Sequence, residues 1–128
     1  MPVPELQSPI QRNTGEQIQT GLVLARPLDA YFTAKNRHDV DAMLDCFAAD
    51  AIVVDEAREQ RGKTAIRQWI DETTRKYRVS VEVLDASESE GNTLVTGLVS
   101  GNFPGSPVKL RYAFALSDGR IVRLEIKA

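Results

Sequence analysis

Asp55 stands at the end of an apolar run, Ala51-Ile-Val-Val54, and is the residue whose position most suggests chemistry. β-branched residues of this kind are typical of a strand buried on both faces, so the pattern predicts a carboxylate where a buried strand ends. Burial in an apolar pocket raises the pKa of a carboxyl group and makes it a useful base near neutral pH. The alternative is that the strand simply reaches water at Asp55, which would leave the carboxylate solvated and without a catalytic role.

Other reactive residue types are scarce, which limits the chemistry open to the chain. It contains one cysteine, Cys46, and one histidine, His38. One thiol cannot form an internal disulfide, and one thiol with one imidazole cannot supply the nitrogen and sulfur ligands of a usual zinc site. His38 lies in Asn36-Arg-His-Asp39, a composition typical of a solvated turn, and Cys46 is predicted to be a small buried hydrophobe on a helix. We therefore expect no metal site and no histidine-dependent triad.

Length, composition and charge indicate one globular domain. The 128 residues are 42% hydrophobic and 27% charged, with a formal net charge of −2. No window concentrates lysine and arginine, which argues against binding to nucleic acid or an anionic membrane. The apolar runs are too short to span a bilayer, and residues 1–26 lack the features of a secretory signal. We expect a cytoplasmic protein that binds neither nucleic acid nor membrane.

Three amphipathic helices are predicted before the last third of the chain, after an extension of residues 1–26 that has only weak periodicity. Pro27 suits the first position of the first helix, and Asp39 suits the N-cap of the second. The third helix follows Gly62. The apolar stripes at helical spacing are Leu28, Tyr31 and Phe32; Val40, Met43, Leu44 and Phe47; and Ile66, Trp69, Ile70, Thr73 and Tyr77.

Strands are predicted both before and after the third helix in the sequence. One strand contains Ala51–Val54, and four more are predicted in the last third of the chain, where apolar and polar residues alternate between short turns. Sequential hairpins of this kind form an antiparallel sheet, so the order of elements predicts an α+β fold with the helices on one face of the sheet. The polar segment from Glu56 to Arg61 is interpreted as a loop over the mouth of a pocket.

Three short motifs, in this order and spacing, resemble the nuclear transport factor 2-like superfamily, an α+β cone that includes ketosteroid isomerases and SnoaL-type polyketide cyclases. They are Tyr31-x4-Asn36-x2-Asp39, Phe47-Ala-Ala-Asp50-Ala51 and Gly62-Lys-Thr-Ala-Ile66-Arg67. The resemblance implies one domain over residues 27–128, in which a curved, mostly antiparallel sheet wraps the three helices around a deep apolar pocket. Such a pocket suits a small hydrophobic molecule.

Several large side chains are candidates for the pocket wall. Leu110, Tyr112, Phe114 and Leu116 alternate on one predicted strand and would share its concave face, while Trp69 and Phe32 are bulky enough to fill part of the cavity. Plain core packing is the alternative for each of these side chains.

The resemblance to ketosteroid isomerases also implies catalytic roles. In those enzymes a carboxylate removes a proton next to a carbonyl while hydrogen-bond donors stabilise the enolate oxygen, and no cofactor is needed. The matching positions here are Asp55 as the base and Tyr31 as one donor. Where the isomerases have an aspartic acid as the second donor, this chain has Tyr112, whose hydroxyl is the candidate second donor. The absence of the acid argues against steroid isomerisation.

Three functions are compatible with these residues: a cofactor-free isomerase, cyclase or dehydratase; a pocket that binds a small hydrophobic molecule without turnover; and an association module. Members of the superfamily often dimerise through the outer face of the sheet. The residues predicted on that face are Val95, Val99, Phe103, Ala113 and Ala115, an apolar set for a surface exposed to water. We therefore expect a homodimer under any of the three functions.

Overall fold

The computed structural model describes residues 24–128, so nearly all of the predicted extension, residues 1–26, lies outside the described residues. The elements follow in the order α1 Leu28–Asn36, α2 Val40–Asp45, β1 Phe47–Asp55, β2 Arg58–Arg61, α3 Gly62–Tyr77, β3 Ser80–Ser89, β4 Asn92–Ser100, β5 Val108–Ser117 and β6 Arg120–Lys127. Within this part of the chain, no helix combines the length and the apolar character needed to cross a membrane. The fold is α+β, as the order of elements predicted.

One open sheet organises the domain, with strand order β2-β1-β6-β5-β4-β3. Neighbouring strands are antiparallel except β1 and β6, which run parallel. Register shifts interrupt the β1–β6, β3–β4 and β5–β6 pairs, and such irregularities bend and twist the strands that carry them. The inner face of this curved sheet packs against the helices.

Two predicted elements differ from the observed ones. The segment predicted as a loop contains β2, which pairs antiparallel with the end of β1, from Asp55 opposite Arg58 to Ile52 opposite Arg61. Two helices precede the first strand, as the order of elements predicted, and the third lies mid-chain, directly after β2. Phe47, predicted as the last stripe residue of the second helix, begins β1 instead and is fully buried. Its spacing fitted the helical stripe, but the chain had already left the helix at Asp45.

Of the five residues predicted to lie on the outer face of the sheet, three lie elsewhere. Val95 and Val99 are buried against the core, and Phe103 lies in a loop at a cavity wall. One alternating set of β4 carries Leu94 and Leu98 and the other carries Val95 and Val99, so the sequence did not determine which set faces the core, and a change of phase by one residue exchanges the two faces. Leu94 of β4 faces outward, opposite Ala113 of β5, and is 42% exposed.

The C-terminal end of α1 is tied to the edge strand β3. The Asn36 side chain accepts a hydrogen bond from the Val81 amide at 2.7 Å and donates to the Val81 carbonyl at 3.0 Å. In the turn that follows, His38 lies 2.8 Å through Nε2 from the Val79 carbonyl oxygen, so this histidine has a structural partner and is not simply solvated. These bonds fix α1 across the sheet and thereby fix the residues that α1 directs inward.

Candidate active site

A cavity of about 380 Å³ opens between the inner face of the sheet and helices α1 and α3. Its walls are mostly apolar, which suits a small organic ligand. Asp55, Lys35 and Tyr112 are the polar side chains on which the chemistry of this cavity depends. The full set of lining residues is Lys35, Asp55, Glu56, Trp69, Thr73, Tyr77, Val79, Val99, Phe103, Pro104, Val108, Leu110, Tyr112 and Ile126.

Strand register brings Asp55 and Tyr112 to the same face of the sheet. Asp55 of β1 is opposite Ile126 of β6, and Ile126 is opposite Tyr112 of β5. The three residues therefore form one row across adjacent strands, with the two polar residues two strands apart. Neighbouring strands lie about 4.8 Å apart, so the backbones of Asp55 and Tyr112 are roughly 10 Å apart. A small molecule over Ile126 would lie between a carboxylate and a phenol.

Asp55 receives a hydrogen bond from the indole of Trp69. Trp69 Nε1 donates to Asp55 Oδ2 at 3.0 Å, and Trp69 is on the inward stripe of α3, which also carries Thr73 and Tyr77 along the cavity wall. Within residues 24–128, no other hydrogen bond from a side chain reaches this carboxylate. The indole orients the carboxylate through one oxygen and leaves the other oxygen available to a substrate proton.

Lys35 is the cavity residue that the sequence analysis missed. It follows Leu28, Tyr31 and Phe32 at the next position of the same apolar stripe of α1, and that spacing was the available signal. Burial lowers the pKa of Lys35 to about 8 because an apolar surrounding disfavours the charged ammonium, while the Asp55 carboxylate acts in the opposite direction. A lysine at this position gives the cavity a cation or, part of the time, a neutral amine.

Tyr112 and Tyr31 hold their protons at physiological pH. Burial, and after it the Asp55 carboxylate, raises the pKa of Tyr112 above 10. Burial, and after it Tyr112, Asp55 and Cys46, raises the pKa of Tyr31 well above 10. Both phenols can therefore donate hydrogen bonds, and the negative charge of Asp55 raises the pKa of both.

The two tyrosines differ in access to the cavity. Tyr112 is in the cavity wall, whereas Tyr31 is fully buried and does not line the cavity. The Tyr31 ring makes edge contacts with Phe32, Phe47 and Phe114, with ring centroids 5.3 to 5.8 Å away. Among the described residues its hydroxyl has no hydrogen-bond partner. A buried hydroxyl without a hydrogen-bond partner costs about 1–3 kcal/mol, so this group lowers the stability of the fold.

Besides Tyr112, four of the side chains predicted to line the pocket divide into two pairs. Trp69 and Leu110 are in the cavity wall. Phe32 and Phe114 are buried in the core behind the cavity wall, with their ring centroids 5.8 Å apart. Core packing, the alternative considered for every member of this set, therefore describes the two phenylalanines.

A second, polar cavity of about 200 Å³ adjoins the first and shares Asp55 and Trp69 with it. Glu56, Arg58 and Gln60, from the segment predicted to lie over the pocket mouth, line this second cavity. Asp55 consequently lies where an apolar chamber meets a polar one, which answers in part whether its strand ends in a pocket or in water. In the described part of the chain, His, Cys, Asp and Glu side chains form no group of three or more that could hold a metal ion.

Comparison with known proteins shows the family of the chain. The family model described as "SnoaL-like domain" matches residues 28–124. The chain belongs to the SnoaL-like family. No curated protein sequence gives a significant match.

Solved structures agree with this assignment to the SnoaL-like family. A candidate polyketide cyclase of Sinorhizobium meliloti is 40% identical, with a TM-score of 0.78 over 81% of this chain and 95% of that one. A protein of Catenulispora acidiphila with a ketosteroid isomerase-like fold, crystallised with trimethylamine, is 18% identical, with a TM-score of 0.73 over 83% of this chain and 87% of that one. A candidate polyketide cyclase of Pseudomonas putida is 20% identical, with a TM-score of 0.69 over 79% of this chain and 87% of that one. The resemblance to the nuclear transport factor 2-like superfamily is thereby confirmed at the level of fold.

Proposed function

We propose that this SnoaL-like protein catalyses proton transfer next to the carbonyl group of a small hydrophobic molecule, as an isomerase, cyclase or dehydratase. The observation that carries the proposal is the row formed by Asp55, Ile126 and Tyr112, which sets a carboxylate and a phenol on one wall of an apolar cavity. Enolisation needs a base over the carbon and a donor facing the oxygen, and this row offers one of each.

Each polar group has a defined task in this proposal. Asp55 removes the proton, with its carboxylate oriented by the Trp69 indole at 3.0 Å. The Tyr112 hydroxyl donates to the carbonyl oxygen as negative charge develops there. A ligand oxygen that also reaches Tyr31 would give its hydroxyl the partner that it lacks among the described residues. Isomerisation, cyclisation and dehydration of a carbonyl compound involve no net oxidation or reduction, so the reaction needs no redox cofactor.

Binding without turnover is the second candidate function. It is favoured by the position of Tyr31, which lies behind the cavity wall and not in it. If Tyr31 contributes only to the core, Tyr112 is the one phenolic donor in the row with Asp55, and the apolar chamber can still hold a hydrophobic ligand through contacts with Trp69 and Leu110.

We also propose that the protein forms a homodimer through the outer face of its sheet. Leu84 and Leu94 on that face are 39% and 42% exposed, and Ala113 lies beside Leu94 on the neighbouring strand. A contiguous exposed apolar patch marks an interaction site, and a second copy of the chain related by two-fold symmetry would cover the patch on both subunits. In this proposal Leu84, Leu94 and Ala113 form the dimer interface, and the buried Val95 and Val99 of the predicted face do not.

A fluorescent naphthol, whose phenolate imitates an enolate oxygen, tests the proposed donors. We expect wild type to bind it, Tyr112→Phe to bind about tenfold more weakly, and Tyr31→Phe to bind more weakly while unfolding no more easily. Val108→Ala, a change at an apolar position of the cavity wall, is the control for a loss of contact area alone. Binding that is unchanged in both tyrosine variants would contradict the oxyanion site and favour the second candidate function.

A further inference from the structure

Lys35 lies where a lysine is rarely found, inside an apolar chamber. Long cationic side chains on a helix usually extend their charged end into water. Lys35 instead continues the inward stripe of α1, and its Nζ lies 6.0 Å from the centroid of the Tyr31 ring. The α1 helix cannot easily turn this residue away, because Asn36, the next residue, is bound to the backbone of β3.

The groups that face Lys35 leave space for a substrate. Asp55, Glu56 and Tyr112 share the cavity with it, and the phenol of Tyr31 lies beneath it. Within residues 24–128 the salt bridges do not include one between Lys35 and Asp55. An amine and a carboxylate that share one small chamber without forming a salt bridge to each other can both act on the same bound molecule.

We propose that Lys35 is a catalytic nucleophile that forms an imine with an aldehyde or ketone substrate. This inference rests on the proposed function and makes it more specific: the carbonyl carbon is held covalently while Asp55 acts on the adjacent carbon. It assigns the substrate class as small, mostly apolar carbonyl compounds that have a hydrogen on the neighbouring carbon.

The step balances without any further reactant. The nitrogen lone pair of Lys35 attacks the carbonyl carbon and forms a C–N bond; the carbonyl oxygen leaves as water with the two amine protons, and a solvent proton gives the cationic iminium. Asp55 then removes the proton from the adjacent carbon, and the electron pair moves toward nitrogen to give an enamine. Protonation of the enamine, at the same or another carbon, and hydrolysis of the iminium return the free lysine.

The amine is available at physiological pH. With a pKa of about 8, about a tenth of Lys35 is neutral at pH 7. A lysine in water, with a pKa of about 10.4, is neutral to roughly 0.04% at the same pH. The cavity therefore raises the share of reactive amine by about two orders of magnitude. During imine formation, the Tyr112 hydroxyl donates a hydrogen bond to the substrate oxygen that leaves as water.

Reductive trapping on the full-length chain tests this role. The protein is incubated with benzaldehyde and sodium cyanoborohydride near pH 7, and labelled lysines are identified by peptide mapping at successive times. We expect Lys35 to be labelled at least about tenfold faster than Lys109, an exposed lysine on β5, because it has the larger share of neutral amine. Labelling of Lys35 that is no faster than that of Lys109 would overturn the proposal.

A second experiment separates this inference from the proposed function. Lys35→Arg keeps a positive charge but cannot form an imine, and Asp55→Asn keeps the amine but removes the base. For a ketone whose α-protons wild type exchanges with deuterium oxide, we expect exchange to fall at least about a hundredfold in both variants, with fast trapping at Lys35 retained in Asp55→Asn. If Lys35→Arg exchanges protons as wild type does while Asp55→Asn does not, the imine is refuted and proton transfer by Asp55 stands. If Lys35 is trapped rapidly but no ketone exchanges, the reactive amine is supported and the proposed function fails.

Discussion

Replacing Lys35 with methionine should stabilise the protein at neutral pH. Folding lowers the pKa of this lysine from 10.5 to about 8. One pKa unit corresponds to about 1.4 kcal/mol, so keeping the ammonium charged in the cavity costs at most about 3 kcal/mol. Lys35 is only partly buried, and water in the cavity reduces this cost. We expect Lys35→Met to raise the free energy of unfolding by about 1–3 kcal/mol at pH 7.

The pH dependence gives this prediction its sign. A base with a lowered pKa in the folded state binds fewer protons folded than unfolded between pH 8 and 10.5, the two pKa values of Lys35. Wild type therefore gains stability at Lys35 as the pH rises through this window, and the cost is fully present only below pH 8. The advantage of Lys35→Met should be smaller at pH 9 than at pH 7 by about 1 kcal/mol.

Urea unfolding of wild type and Lys35→Met at pH 7 and pH 9 measures both quantities. The attraction between the Lys35 ammonium and the Asp55 carboxylate is already part of the pKa of about 8, so the difference between the two pH values reports on the titration of Lys35. Lys109→Met, at an exposed position of β5, is the matched control. An advantage that does not change between pH 7 and pH 9, or that Lys109→Met reproduces, would refute the reasoning.

Three further substitutions test the site, the sheet and the interface. Trp69→Phe keeps an apolar ring but removes the N–H that donates to Asp55 at 3.0 Å. Ketone proton exchange should slow about tenfold while naphthol still binds. Unchanged exchange would show that the indole does not orient the base. Gly97→Ala places a Cβ 2.6 Å from a methyl group of Val81, so thermal unfolding should show a loss of about 1–3 kcal/mol, and wild-type stability would contradict this close packing. Leu94→Lys puts a charge on a 42% exposed leucine of the outer face, so analytical ultracentrifugation should show a monomer where wild type is a dimer, and a variant that still dimerises would argue against this face.

Periodicity predicted most of the elements because their buried faces carry repeating apolar residues. Ile66, Trp69 and Ile70 are buried on α3, and Tyr112 and Phe114 are buried at alternate positions of β5. The short strand β2 had no such signal. Its four residues, Arg58–Arg61, are polar and mostly exposed, because the strand is held at the sheet edge by its backbone pairing with β1.

The candidate site could be predicted only in part, for a different reason. The resemblance to ketosteroid isomerases pointed to Asp55 and Tyr31, and it gave Tyr112 only as the residue in place of a second acid. Strand pairing across β6 is what brings Asp55 and Tyr112 into one row, and pairing between distant segments is not encoded in local periodicity. Lys35 was overlooked because a lysine at the end of an apolar stripe usually marks solvent. Its inward position depends on the tether between Asn36 and β3, a contact between residues 45 positions apart in the chain.

Deuterium exchange at the α-carbon of enolisable ketones, followed by NMR in deuterium oxide, tests the central claim most directly. Wild type, Asp55→Asn and Asp50→Asn would be compared against a panel of small apolar ketones. Asp50 is on the same strand as Asp55 but is exposed, so it controls for the loss of one carboxylate from β1. We expect exchange by wild type and Asp50→Asn and a loss of at least about a hundredfold in Asp55→Asn. Exchange that Asp55→Asn retains at the wild-type rate would contradict the assignment of Asp55 as the base.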